Sequence, residues 1–159
     1  MSGENILVAG IGNIFLGDDG FGVEVIEQLR TWPHPETVNV ADFGIRGFDL
    51  AFALMEDLEL AILIDAMPHG AAPGTVYLLE ADSASLRDAI IEGHAMHPMA
   101  VFNLVQALGG RLPRVLIVGC EPLSLEEGIG LSVPVRAAVQ DAVRMVEELV
   151  SKEVNAWVG

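Results

Sequence analysis

The sequence predicts an α/β fold: a single domain over residues 1–159, with a twisted, mostly parallel sheet of about five strands and helices on both faces. Three observations lead there. Continuous apolar runs alternate with segments of helical period along the whole 159-residue chain. The stretch Leu58–Ile64 is almost uninterrupted apolar sequence, as a central parallel strand buried on both faces requires. Hydrophobic residues make up 52 % of the chain and the mean hydropathy is +0.47, which suits a sheet covered on both sides. A chain of this length can bury roughly 70 % of its unfolded surface in one core.

The elements follow in order. Ile6–Ala9 reads as the first buried strand and leads into a glycine-rich loop. The first helix then carries Phe21, Val25, Ile26 and Leu29 on one face, with Glu24, Glu27 and Gln28 outside. Trp32-Pro33 stops it, because the residue before a proline resists the helical region. Val38–Ala41 is a second strand. Asp42–Gly47 reads as a turn-rich loop opening a short helix to about Met55. Leu58–Ile64 is the central strand, and Thr75–Leu79 an edge strand. Ser83–Ile91 is compatible with a short helix. Pro98 fits the first position of a helix whose inner face is Val101, Leu104, Val105 and Leu108. Gly109-Gly110 closes that helix with a left-handed cap. Val115–Val118 is the last strand. Ser132 caps the final helix, whose stripe is Val135, Ala138, Val139, Ala142, Val143, Val146, Leu149 and Val150. Beyond about residue 152 a loosely held tail is expected.

Charge and cysteine usage narrow the function. Eight Lys and Arg stand against 23 Asp and Glu, a formal charge of −15, which argues against nucleic acid or an anionic membrane as partner. No apolar run approaches the ~20 residues of a membrane span. The N-terminus lacks a charged segment followed by an apolar one, so a cytoplasmic location is expected. The single cysteine, Cys120, rules out an internal disulfide and a cysteine-rich zinc site.

The chemistry gathers in Gly10-Ile-Gly-Asn-Ile-Phe-Leu-Gly-Asp-Asp-Gly-Phe-Gly22. Gly12 to Gly17 has the spacing of a P-loop, but Asp18-Asp19 stand where Lys and Ser or Thr belong, and two aspartates repel a phosphate. As a dinucleotide fingerprint the loop lacks its third glycine, since Phe15 stands there. It suits a cation or a protonated group better than a nucleotide. One of the two aspartates is expected to cap the following helix; capping does not account for both.

Ligands in open α/β sheets bind beyond the carboxyl ends of the strands. Asp18 and Asp19 follow the first strand, Asp42 the second and Glu121 the last, while Asp65 ends the central one. Asp65 interrupts a buried run and needs a donor or a cation, or else a capping or turn role. Of four histidines, His34 is expected in solvent, and His69 follows Asp65 by four residues. His94 and His97 have a spacing seen in metal sites. His97 precedes Pro98 at a helix start, where the dipole disfavours imidazolium and keeps the ring competent as a ligand. Two aspartates and a neutral histidine make a plausible metal site with open positions. Cys120 could be a nucleophile with His97 as base, though a core role is favoured.

Taken together, Gly10-Ile-Gly-Asn13, Asp18-Asp19-Gly-x-Gly22, Asp42-x-Gly44, the strand ending at Asp65, His97 at a helix start, Gly119-Cys-Glu-Pro122 and Glu126-x-x-Ile-Gly-Leu-Ser132 resemble the nickel-iron hydrogenase maturation endopeptidases. The likeness runs in order from about residue 5 to 150. It implies removal of a C-terminal extension from the hydrogenase large-subunit precursor after nickel insertion. It also implies a catalytic and metal-contacting triad of Asp19, Asp65 and His97, with the nickel carried by the precursor. Met96-His97-Pro98 departs from the Ser-x-His form of some relatives, and His94 is a second candidate. Asp18 is then expected to cap the helix or orient Asp19, and the glycines to admit precursor backbone. A monomer is expected. A non-catalytic nickel-sensing adaptor or chaperone would use the same site; a nucleotide-binding module fits the loop less well.

Overall fold

The structure, a computed structural model, describes residues 4–80 and 96–158. β1 (Ile6–Ile11) leads through a 3-10 turn (Gly17–Gly20) into α1 (Phe21–Leu29). β2 (Val38–Gly44), α2 (Gly47–Leu54), β3 (Leu60–Ala66) and the edge strand β4 (Val76–Glu80) follow. The second segment holds α3 (Met96–Ala107), β5 (Arg114–Cys120) and α4 (Val133–Val158). The predicted short helix at Ser83–Ile91, and His94, lie outside the described residues.

The strands form one sheet in the order β2-β1-β3-β5-β4. All pairs are parallel except β4 with β5. Chain direction across the sheet reverses between β1 and β3, since β1 connects outward to β2 and the chain then crosses to β3. That reversal opens a crevice at the carboxyl ends of these two strands.

The sheet is sandwiched as its composition requires. On one side α1 and α4 cover Ile6, Val8, Ile62, Ile64 and Val118. On the other, α2 and α3 cover Leu7, Ala9, Leu63 and Ile117. Every residue of β1 and β3 is buried, whereas the edge strand β4 has none that is.

Glycine sets how closely α1 lies on the sheet. A Cβ at Gly22 would stand 2.2 Å from the Ile64 carbonyl oxygen and 2.5 Å from that of Ile11. One at Gly10 would stand 2.5 Å from the Gly22 carbonyl oxygen. Only hydrogen at these positions lets the first turn of α1 rest on the ends of β1 and β3. A Cβ at Gly12 (φ +129°) would meet the Asp19 carbonyl oxygen at 2.0 Å. Space beside these glycines is thus filled by the protein itself rather than kept for precursor backbone.

Several boundaries differ from expectation. β2 runs on through Asp42 to Gly44, because Asp42 and Gly44 still pair with Gly10 and Ile11 of β1. Pro98 is the third residue of α3, not its first. Phe102 is buried on that helix while Leu108 is exposed. Gly109 (φ +78°) does close it: Gly110 N–H donates to the Val105 carbonyl at 2.9 Å and Gly109 N–H to Gln106 at 3.0 Å, a Schellman cap. The expected loose tail is helix to Val158, with Val154 and Trp157 partly buried against the core. His34 is half-buried rather than solvated; its Nδ1 lies 2.7 Å from the Trp32 carbonyl oxygen and its ring packs on Trp32.

Gly22→Ala should therefore force α1 off the sheet, costing about 3 kcal/mol or more. Gly47→Ala, whose Cβ would meet only Val101 at 3.8 Å, should be neutral or mildly stabilising. Urea unfolding of the two variants checks this contrast.

Candidate functional site

The crevice is lined by carboxylates that differ sharply in their surroundings. Asp18 is buried and fully engaged. Leu123 N–H (2.8 Å), Ser124 N–H (3.1 Å) and Ser132 Oγ (2.8 Å) donate to its Oδ2, and Ser132 N–H (2.7 Å) donates to Oδ1. Burial alone would raise its pKa, but the donors of Ser132, Ser124 and Leu123 together hold it below the ordinary carboxylate value. Asp18 thus fastens the glycine loop to the chain between β5 and α4.

Neither aspartate caps a helix. Gly20 occupies the N-cap of α1, without a side-chain cap. Ser132 does precede α4, and its carbonyl accepts the first helical bond from Arg136 N–H at 2.8 Å. Its hydroxyl, however, serves Asp18 rather than the helix.

Asp19 is buried beside it, with Oδ2 accepting from Asn13 N–H at 2.7 Å. That bond fixes the direction in which the carboxylate faces. Asp65 is the deepest of the three. It is 1 % exposed, and its Oδ1 has no hydrogen-bond partner among the described residues. Burial first, and then the Asp19 charge, push its pKa well above the ordinary carboxylate range; the Ala66 N–H offsets this only partly. The Asp19 charge lies near enough to disfavour ionisation of Asp65, and the unpartnered Asp65 oxygen favours a proton or a bound cation there.

Alternation along β3 puts Asp65 on the same face as Ala61 and Leu63, the face covered by α2 and α3. The first turn of α3 lies at the same edge of the sheet. Ala100 and Val101 share with Gly12, Gly44, Ile45 and Arg46 a recess of about 190 Å³. His97 is the second residue of α3, so the backbone brings it to the layer that Asp65 faces. The His97 side chain lies outside what the structure describes.

Tyr77, which the sequence did not single out, and Glu121 hold the far wall. Tyr77 pairs with Gly119, and Gly119 with Asp65, in one row across β4, β5 and β3. A Cβ at Gly119 would lie 2.6 Å from the Tyr77 ring, so the missing side chain makes room for the ring. Tyr77 Oη donates to the Met67 carbonyl at 2.5 Å. Burial, then the charges of Glu121 and Asp65, raise the phenol pKa and keep it a donor. Glu121 Oε1 accepts from His69 N–H (2.7 Å) and Ala71 N–H (3.0 Å). The loop after Asp65 is thereby tied down. The exposed His69 ring stacks on Tyr77 at 4.8 Å.

Asp42 stays at the end of β2, where its Oδ1 accepts from Gly44 N–H at 2.8 Å. Cys120 is fully buried, and its thiol is pushed up to about 12 by burial, then by the Asp18 and Glu121 charges. It remains a protonated core residue at neutral pH, as the sequence favoured.

Helices on both faces of a five-stranded sheet, with buried carboxylates at its switch point, define a doubly wound α/β protein. The chain matches the hydrogenase maturation protease family over residues 23–149. It is 33 % identical over 154 residues to the hydrogenase expression/formation protein HupD of Bradyrhizobium diazoefficiens, covering 94 % of this chain and 79 % of that one. The hydrogenase maturating endopeptidase HybD of E. coli superposes with a TM-score of 0.80 at 28 % identity, covering 93 % of each chain. A hydrogenase 2 maturation peptidase from a Thaumarchaeota archaeon gives a TM-score of 0.71 at 30 % identity over 92 % of this chain and 98 % of that one. The protein belongs to the hydrogenase maturation protease family and is a peptidase.

The acids predict opposite stability effects. Asp18→Ala orphans four donors and should lower stability by about 3 kcal/mol at neutral pH. Because the Asp18 pKa is depressed, that difference holds above the unfolded value of 3.8 and fades as pH falls through the lower folded value. Asp65→Asn in metal-free protein should raise the melting temperature at pH 7. The Asp65 pKa is raised, so its cost to the fold is absent below 3.8 and grows as pH rises above that. The Asn advantage should accordingly shrink toward pH 4. Thermal melts from pH 4 to 8 separate the two signs.

Proposed function

We propose that the protein removes the C-terminal extension of a nickel-iron hydrogenase large-subunit precursor once nickel has been inserted. Asp19, Asp65 and His97 contact the metal carried by that substrate. The observation that carries this reading is the Asp65 Oδ1 atom, buried and unpartnered among the described residues, beside a second carboxylate. Leaving such an atom without a partner costs free energy that a cation would recover. The donor set of two carboxylates and an imidazole suits a borderline divalent ion.

Without a cation Asp65 retains its proton, favoured by burial and by the neighbouring charge. Docking of a metal-loaded precursor would release that proton and let Asp65 bind as a carboxylate. Nickel in the substrate supplies Lewis acidity near the scissile bond. The chain's own part is to orient and to move protons. Asn13 N–H aims Asp19, while Tyr77 and Glu121 hold the loop that follows Asp65. A carboxylate of the pair accepts the proton of the attacking water. An empty precursor offers no positive charge to this site, which accounts for nickel gating without a separate sensor.

Intact mass of a nickel-loaded and a nickel-free large-subunit precursor, each incubated with the protein, tests the proposal. Loss of a C-terminal peptide from the loaded form alone is expected. Asp19→Asn, Asp65→Asn and His97→Ala should each slow processing by about a hundredfold or more, whereas Cys120→Ala should process at the normal rate. Binding without cleavage would point instead to an adaptor, and equal cleavage of both precursors would remove the metal from recognition.

A further inference from the structure

The glycine loop and the chain between β5 and α4 form one double loop. Gly17 N–H donates to the Gly128 carbonyl at 2.8 Å, and Gly128 N–H returns to the Phe15 carbonyl at 2.9 Å. The Asp18 carboxylate takes the N–H groups of Leu123, Ser124 and Ser132. A connection bonded this fully is a rigid frame rather than a free loop. On it stand five large apolar side chains: Ile14 (43 % exposed), Phe15 (60 %), Leu123 (58 %), Leu125 (40 %) and Ile129 (79 %). None of them is needed to pack the core. Exposed apolar groups concentrated on one frame mark a contact surface. Between them project Glu126 and Glu127, both exposed, on a chain of net charge −15.

We infer that this double loop is the docking platform for the large-subunit precursor, engaging an apolar face flanked by lysine or arginine next to the extension to be removed. The inference rests on the reading of the site given above and adds the surface by which the substrate is held. Asp19 directly follows Asp18, the residue that locks the frame, so the platform is continuous with the site. The apolar side chains supply the buried area, and the glutamates steer a basic rim. The same carboxylates repel an anionic partner. Rigidity matters because the ordering entropy of the frame is spent on folding rather than on each encounter.

The test measures Kd for the cognate nickel-loaded precursor by interferometry, with KM and kcat for its processing. The variants are Phe15→Ser, Leu125→Ser and Ile129→Ser, with Val158→Ser as control, an 84 % exposed residue at the far end of α4. Each platform variant should raise Kd and KM about tenfold, with kcat within about twofold and the melting temperature unmoved. The control should match the parent. Glu126→Lys with Glu127→Lys should weaken binding at low salt and flatten its salt dependence. Parent-like Kd in all platform variants overturns the inference, even where processing itself is normal. Self-association of the protein that the same substitutions abolish also overturns it, assigning the surface to a second copy. A parent protein that binds without cleaving counts against the processing reading alone, and Kd still judges the platform.

Discussion

Two carboxylates held together out of water constrain everything around them. Asp19 and Asp65 repel one another, and burial strengthens that repulsion. Left to themselves they would move apart. The surroundings resist this. Asn13 holds one acid from the loop side, and β3 holds the other within its ladder. Asp18 carries the opposite design. It is equally buried, but four donors favour its anion, so Asp18 stabilises the fold while the buried, unpartnered Asp65 burdens it. Of the adjacent Asp-Asp pair, Asp18 is thus committed to fastening two loops together, while Asp19 is held by Asn13 alone among the described hydrogen bonds to its side chain.

Much of the architecture was legible from hydrophobic period alone. The apolar runs of β1, β3 and β5 and the stripe of α4 leave little choice, because only a sheet covered on both faces buries so much. Failures fell where local pattern competes with tertiary pairing. Asp42 looked like loop because Asp and Gly break strands, yet pairing with β1 carries the strand through them. Leu108 fits a helical stripe, but the Schellman turn at Gly109 swings it clear while Phe102 takes the core position. The tail seemed too polar to be held; Val154 and Trp157, spaced to fall on one side of a continuing helix, hold it.

The site was legible in part. Asp19 and Asp65 follow from one rule, that polar residues at the carboxyl ends of parallel strands face the crevice. The lowered pKa of Asp18 does not, since it depends on donors 105 to 114 residues away in the sequence. Tyr77 could not be recognised at all. Its role comes from the absence of a side chain at Gly119, 42 residues on in the sequence and directly opposite in the sheet. Glu121 was visible as a polar residue after a strand, and yet its partners are backbone N–H groups of a loop 50 and 52 positions earlier. Such contacts leave no periodic signal.

The bonds from Asp18 to Leu123, Ser124 and Ser132 span 105 to 114 residues. Contacts so distant in sequence close late, after the loops between them have lost their freedom. During synthesis the glycine loop emerges early and has no partner until β5 and the start of α4 have left the ribosome. The cleft around Asp19 is therefore among the last parts to take shape. An incomplete chain lacks these bonds, so the loop carrying Asp18 and Asp19 stays unfastened until the last third of the chain has emerged.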